Sequence, residues 1–132
     1  MKRRPRLQGL AREHHGALVL ARQLMTAEMV AWPEWSGRIA TIFATDFEPH
    51  FCAEEHDLLP LLAATDAAAL ALRTRAEHDR LRDLATAAAS DPGMLAEFGR
   101  LLRDHVRFED RELFPAAEQV LPDAWLDTVV SG

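Results

Sequence analysis

The sequence predicts an all-α protein, a four-helix antiparallel bundle of up-down-up-down topology that ends in a short C-terminal helix. Apolar residues recur at the three-and-four spacing of one helical face along most of the chain. No run alternates apolar and polar residues as a half-buried strand would. Short proline- and glycine-containing segments separate the helical stretches, which favours helices packed side by side. Periodicity alone leaves open a closed bundle or a helical hairpin that dimerises.

The boundaries of each element follow from local signals. Pro33, in the segment 32–35, should end the first helix, and Asp66 is a suitable N-cap for the third. Residues 90–93 form the strongest turn signal in the chain. Pro49 removes a backbone donor and should kink the second helix next to His50. The predicted helices span 7–31, 37–64, 67–89 and 94–120, with the short terminal helix around Trp125 and Leu126.

Length and composition indicate one domain. The chain has 132 residues, of which 48% are hydrophobic, so residues 1–132 form a single predicted domain with a bundle core at about 7–120. The single Cys52 excludes a disulfide framework and favours a reducing cytoplasm. No stretch free of charged residues exceeds eight residues, and the basic start lacks an apolar run, so we expect neither a membrane span nor a signal peptide.

Charge and composition also narrow the function. The 15 basic and 21 acidic residues give a net charge of -6, which argues against nucleic acid as a partner. Tyrosine is absent, which excludes a tyrosyl radical and a tyrosine metal ligand. A classical hydrolase is unsupported because the chain has no nucleophile elbow and Cys52 has no neighbouring base.

An internal repeat contains the residues with the most specific chemistry. Residues 50–60 read HFCAEEHDLLP and residues 105–115 read HVRFEDRELFP, so both begin with His-x-x-x-Glu. A shorter Glu-His match, at 13–14 and 77–78, links the other two helices. The chain is therefore a doubled helical hairpin. The repeat pairs His14 with His78, His50 with His105, and Glu54 with Glu109.

Helical geometry turns these pairs into a predicted metal site. Residues four apart project from the same face of a helix, and both His-x-x-x-Glu pairs follow apolar residues. Unpaired carboxylates would be costly inside a bundle, and two bound metal ions would remove that cost. Imidazole with carboxylate suits iron, manganese or zinc, and two bridging carboxylates favour a dinuclear centre. The predicted ligands are His14, His50, Glu54, His78, His105 and Glu109.

The remaining histidines and the cysteine have simpler interpretations. His15 is one residue round the helix from His14, and His56 is matched by Arg111 in the repeat, so both should be solvated. Cys52 points away from the side of the helix that carries His50. We expect it to pack in the core rather than bind metal.

Four segments together resemble the hemerythrin-like family, the HHE cation-binding domains. They are EHHGALVLAR, HFCAEEHDLLP, EHDRLRDL and HVRFEDRELFP, and the resemblance runs from about Leu7 to Pro115. It implies a four-helix bundle with a non-haem di-iron centre held by the six residues named above. The two glutamates would bridge the two iron ions together with an oxo or hydroxo ligand. Ferritin-like di-iron bundles are disfavoured because their Glu-x-x-His motif is absent.

The sequence departs from the oxygen-carrying members of that family at two points. They have a further histidine four residues before the one that matches His78, where this chain has Thr74. One iron would therefore lose a ligand, leaving an open position on both. They also place an aspartate where this chain has Asp110, whereas the repeat favours Glu109 as the fourth-helix ligand.

Three functions are compatible with these features. The first is a di-iron protein that binds, senses or reduces a small oxidant, namely dioxygen, peroxide or nitric oxide. The second is iron or oxygen sensing, or iron donation to damaged metal centres. The third is a metal-free or zinc-stabilised helical scaffold. No catalytic residue is assigned, the redox partner is not identified by any motif, and we expect a monomer or homodimer.

Overall fold

The computed structural model describes residues 3–26 and 32–128, and every regular element within these ranges is helical. The first bundle helix consists of α1 (Pro5–Arg12) and α2 (His14–Met25). The second consists of α3 (Trp32–Ile42), α4 (Glu48–Ala53) and α5 (Leu59–Leu62), joined by π-helical segments at Phe43–Phe47 and Glu54–Leu58. The third is α6 (Ala68–Ala88). The fourth joins α7 (Gly93–Phe108) to α8 (Phe114–Val120) through π-helical Glu109–Leu113, and α9 (Asp123–Leu126) follows.

This architecture confirms the all-α bundle with its short terminal helix, but two predicted boundaries were wrong. Pro33 is the second residue of α3, where a backbone N–H would have no partner within the helix, so its absence breaks no hydrogen bond. The proline therefore lies in the first turn of the second helix and does not end the first. The described part of the first helix ends at Met25, and predicted residues 27–31 lie outside the described ranges. Asp66 caps nothing at the start of α6, where the hydroxyl of Thr65 accepts from the N–H of Ala67 at 3.0 Å.

The π-helical segments explain how the helices accommodate their prolines. Each ends two residues before a proline, which cannot donate a hydrogen bond and whose ring crowds the carbonyl four residues earlier. The preceding turn widens to bonds that span five residues. At Pro49 the helix therefore continues through a π-helical turn, which takes the place of the predicted kink. These bonds run from Glu48 to Phe43, from Leu59 to Glu54, and from Phe114 to Glu109.

The core consists of two apolar clusters on either side of the predicted metal site. One contains Phe43, Phe98 and Leu102, and the other contains Leu58 and Phe114. None of the described helices is long and apolar enough to cross a membrane.

A glycine sets the spacing between the first and fourth helices. A Cβ atom on Gly99 would lie 2.8 Å from the carbonyl oxygen of Ala21 and 3.1 Å from the Cβ of Leu24. Only a residue without a side chain permits this approach of α7 to α2. Since α2 begins at His14 and α7 contains His105, the contact also helps to set the distance between two predicted ligands.

Candidate metal centre

The structure brings all six predicted ligands together in the middle of the bundle. Each helix contributes at least one of them, and every one has an exposed fraction of 7% or less. Glu54 and Glu109 are fully buried, and each is the first residue of a π-helical segment. We call His14 and His50 the first half of the site, and His78 and His105 the second half.

The four imidazole rings direct Nε2 towards the two buried carboxylates. Each carboxylate has its shortest contacts with one ring from each half, and Glu109 also lies 3.8 Å from the Nε2 atoms of His50 and His78, so both carboxylates are placed to serve as bridging ligands. The Nε2 atoms of His14 and His105 lie 2.9 and 3.1 Å from Glu109, and those of His50 and His78 lie 3.3 and 3.1 Å from Glu54.

Several of these inner atoms have no hydrogen-bond partner among the described residues, although they are buried. Such atoms are expensive in a protein interior, and a cation that accepts their lone pairs would satisfy them. Two groups have ligand atoms within 4.8 Å of one another, and Glu109 belongs to both. The donor set therefore fits two metal ions. The atoms concerned are both oxygens of Glu54, Oε2 of Glu109, and Nε2 of His78 and His105.

A second set of carboxylates, the outer carboxylates, contacts the opposite ring nitrogen of each of the four inner histidines. Such contacts set the ring orientation and raise the basicity of a ligating imidazole. Glu13 and Glu77 belong to the Glu-His matches of the repeat, Asp110 appeared only as an alternative to Glu109 as ligand, and this orienting role was not predicted for any of the four acids. The pairs, measured at Nδ1, are His14 with Asp110 at 2.9 Å, His50 with Glu13 at 3.0 Å, His78 with Glu55 at 2.7 Å and His105 with Glu77 at 2.7 Å.

Without metal, protons on the imidazoles balance the buried carboxylates. Burial alone would lower the pKa of His14, but hydrogen bonds to Asp110 and Glu109 outweigh it and raise the pKa to about 9. Burial would also lower the pKa of His105, but the negative charge of Glu109 outweighs this effect and raises the pKa of His105 to about 10. Burial would raise the pKa of Glu109, yet the surrounding histidines hold that pKa well below its usual range. Metal ions would replace these protons as the source of positive charge.

Thr74 lies one turn before His78 and is fully buried. Its hydroxyl donates to the carbonyl of Leu70 at 2.8 Å, within its own helix. The only hydrogen that this side chain can donate is therefore bonded to the backbone of its own helix.

A cavity of about 580 Å³ opens between the first and second helices and reaches the site. His14, His50 and Glu109 form part of its lining, and Trp35 and Arg38 also border it. His78 does not line it, because that ring is covered by Phe51, whose ring is stacked 4.0 Å away and 9° from parallel. The cavity thus reaches both histidines of the first half but only His105 of the second half.

The residues outside the site follow the sequence analysis in two cases out of three. His15 and His56 are exposed, as predicted. Cys52 is also exposed, so the prediction that it packs in the core was wrong. It lies two residues from buried His50, on the side of α4 away from the site as expected, and its thiol donates to Glu48 at 3.5 Å.

Comparison with known proteins gives one family match. Residues 6–117 match the family model described as the hemerythrin HHE cation binding domain. This range includes all six inner residues and the four outer carboxylates. Searches of curated proteins and of solved structures returned no match.

Proposed function

The chain belongs to the hemerythrin HHE cation-binding family, and from that premise we propose that its site holds two iron ions and that the protein binds, senses or reduces a small oxidant. The candidates are dioxygen, peroxide and nitric oxide. The observation that carries the proposal is the group of five buried polar atoms with no hydrogen-bond partner in the described chain. Imidazole and carboxylate are the donors that non-haem iron accepts, and bound iron would supply redox chemistry with such oxidants.

The inner and outer carboxylates have different tasks in this proposal. Glu54 and Glu109, which have no exposed surface, bridge the two halves and offset the charge of the ions. The outer carboxylates bind Nδ1, so that Nε2 of each ring faces inward and could bind a metal ion in place of a proton. We therefore assign His14, His50, Glu54, His78, His105 and Glu109 as ligands and the outer acids as residues that orient them.

The cavity and Thr74 both favour a site in which a small molecule from solvent can reach the metal ions. A cavity of about 580 Å³ is far larger than a diatomic molecule or peroxide requires, and its lining includes His14, His50, His105 and Glu109. The hydroxyl of Thr74 donates to the carbonyl of Leu70, so this side chain adds no metal ligand beside His78. Each half would thus offer two histidines and the two shared carboxylates, and the cavity would let an exchangeable ligand approach beside His14, His50 and His105.

We also propose a cytoplasmic location and a monomer or homodimer. One cysteine, exposed and without a disulfide partner, suits a reducing compartment. The partner we propose for the site is a small diatomic ligand or peroxide, with electrons supplied by a reductant.

Anaerobic stopped-flow mixing tests the proposal. Iron-loaded, reduced protein is mixed with dioxygen, peroxide or nitric oxide while a reductant is supplied. For peroxide, two electrons and two protons yield two water molecules, and we expect many turnovers per chain. The exposed-residue variant His15→Ala should behave like the parent, whereas His14→Ala should lose the activity. Transfer of iron to a chelator without turnover of any of the three would favour the iron-donating alternative.

A further inference from the structure

The two halves of the site differ in the charges behind their outer carboxylates. The offset of 64 residues that matches His14 with His78 also places Gly9 opposite Arg73 and Leu18 opposite Arg82. The inner ligands and the outer acids are thus repeated in both hairpins, but these two arginines occur only in the second.

Both arginines bind the carboxylates that hold the second half. Arg82 makes two contacts to Glu55, at 2.9 and 3.1 Å, and Glu55 accepts from Nδ1 of His78. Arg73 lies 2.8 Å from Glu77, which binds Nδ1 of His105 through its other oxygen. Glu55 and Glu77 are 11% and 18% exposed, so water screens these pairs only in part. Arg75 adds a longer contact of 3.7 Å to Glu55. Arg82 also pairs with Glu48 at 2.7 Å and with Asp79 at 3.0 Å, and Arg73 pairs with Glu112 at 3.4 Å, so each arginine divides its charge among several carboxylates.

The outer carboxylates of the first half have no such partner in the described chain. The carboxylate of Glu13 pairs only with His50, and that of Asp110 only with His14. Arg3 lies nearby, but it donates to the backbone carbonyl of Asp110 and to the carboxylate of Glu118. Glu13 and Asp110 are 56% and 39% exposed, so water solvates them without adding a positive charge.

We propose that Arg73 and Arg82 are positioning residues that make the two metal positions unequal. An arginine bound to an outer carboxylate draws the negative charge of that carboxylate away from the imidazole behind it. Glu55 and Glu77 therefore support His78 and His105 less strongly than Glu13 and Asp110 support His14 and His50. The first ion enters the first half, and the second half takes its ion less tightly. This inference rests on the proposed two-metal site.

Substitution must separate charge from packing, because both arginines also cover aromatic rings. The Arg73 guanidinium carbon is 3.9 Å from the centroid of Phe108, and that of Arg82 is 5.6 Å from the centroid of Phe51. Glutamine keeps a hydrogen-bond donor for the carboxylate but removes the charge. Lysine keeps the charge but loses the planar fork. The test therefore uses the double variants R73Q/R82Q and R73K/R82K.

Titration of metal-free protein with zinc, followed by NMR of the histidine ring nitrogens, provides the test. In the parent protein, the ring signals of His14 and His50 should shift before those of His78 and His105. In R73Q/R82Q the order should disappear, and the affinity for the second zinc ion should rise about tenfold. R73K/R82K should keep the order. Arg100→Gln is the matched control, because Arg100 forms a surface pair with Glu97 at 2.7 Å, and it should also keep the order.

The outcomes separate the inference from the function on which it rests. If four ring signals shift together in the parent, or if R73Q/R82Q retains the parent's order, the inference is wrong although two ions bind. If zinc shifts none of the four ring signals, the two-metal site itself is wrong.

Discussion

Glu109 and Asp110 are adjacent in the chain, yet their carboxylates bind opposite nitrogens of one imidazole ring, that of His14. Oε1 of Glu109 lies 2.9 Å from Nε2, and Oδ1 of Asp110 lies 2.9 Å from Nδ1. Consecutive residues of a helix are about 100° apart, so one side chain points into the bundle and the other reaches round the ring. Glu109 is fully buried, whereas Asp110 is 39% exposed.

This arrangement predicts different effects of neutralising the two acids. Glu109→Gln removes a bridging charge and should reduce bound metal from two ions per chain to one or none. Asp110→Asn removes only the support behind His14 and should keep both ions with an affinity about 10- to 100-fold weaker. Metal analysis after dialysis against a graded chelator measures both. If Glu109→Gln retained two ions and Asp110→Asn lost them, Asp110 would be the ligand and Glu109 the residue that supports it.

The neighbouring histidines of the first helix give a second prediction. His14 is 5% exposed and bonded at both nitrogens, while His15 is exposed. His14→Ala should therefore release metal from the first half of the site, and His15→Ala should leave the metal content unchanged. Metal-to-protein ratios of the two purified variants decide this. If only His15→Ala lost metal, His15 and not His14 would be the ligand on the first helix.

The inner ligands could be predicted from sequence because they depend on one helix at a time. A spacing of four places His50 with Glu54 whatever the neighbouring helices do, and the repeat supplies the second pair. Glu13 was visible in the same repeat, but its contact with His50 depends on how two helices are rotated against each other. Periodicity within one helix contains no such information. Cys52 shows the same limit, since the side of its helix was predictable and its exposure was not.

The prolines illustrate a second limit. Pro60 and Pro115 matched in the repeat, yet proline is compatible with a break, a kink or a widened turn. Packing on both sides of the site keeps the helices continuous, so the widened turn is the observed result. At Pro49 the local signal identified the place of the irregularity and the surrounding core determined its form, whereas no irregularity was predicted at Pro60 or Pro115.

The raised histidine pKa values predict how pH affects the metal-free protein. In the unfolded chain these rings titrate near 6.5, whereas in the folded metal-free site the pKa of His14 is about 9 and that of His105 about 10. The folded state thus holds protons more tightly. Their contribution to stability is fully present below pH 6.5 and is lost as pH rises through about 9 to 10.

Thermal melts across this range measure the effect. The Tm of metal-free protein should fall between pH 6.5 and about 10, because deprotonated rings no longer balance Glu54 and Glu109. Metal-loaded protein should show a smaller decrease and a higher Tm throughout, since the ions supply the positive charge. A flat Tm for the metal-free protein, or coincident melts of the two forms, would count against a buried cluster of this kind.

Two glycines within helices provide a test of the packing between the first and fourth helices. A Cβ atom on Gly99 would meet the Ala21 carbonyl oxygen at 2.8 Å, so Gly99→Ala should lower the free energy of unfolding by about 1–3 kcal/mol. A Cβ atom on Gly16 would meet nothing within 4 Å, so Gly16→Ala should raise that free energy by about 0.5–1 kcal/mol. Urea unfolding of both variants gives the comparison. Equal effects would mean that α2 and α7 are further apart than described.

The central claim is that four histidines and two buried glutamates hold a pair of iron ions. Iron analysis and an absorption spectrum of protein purified from iron-replete cells test it most directly. The account predicts two iron ions per chain and the near-ultraviolet charge-transfer bands of a bridged ferric pair. Protein that contains no iron, or a single ion without those bands, would contradict it.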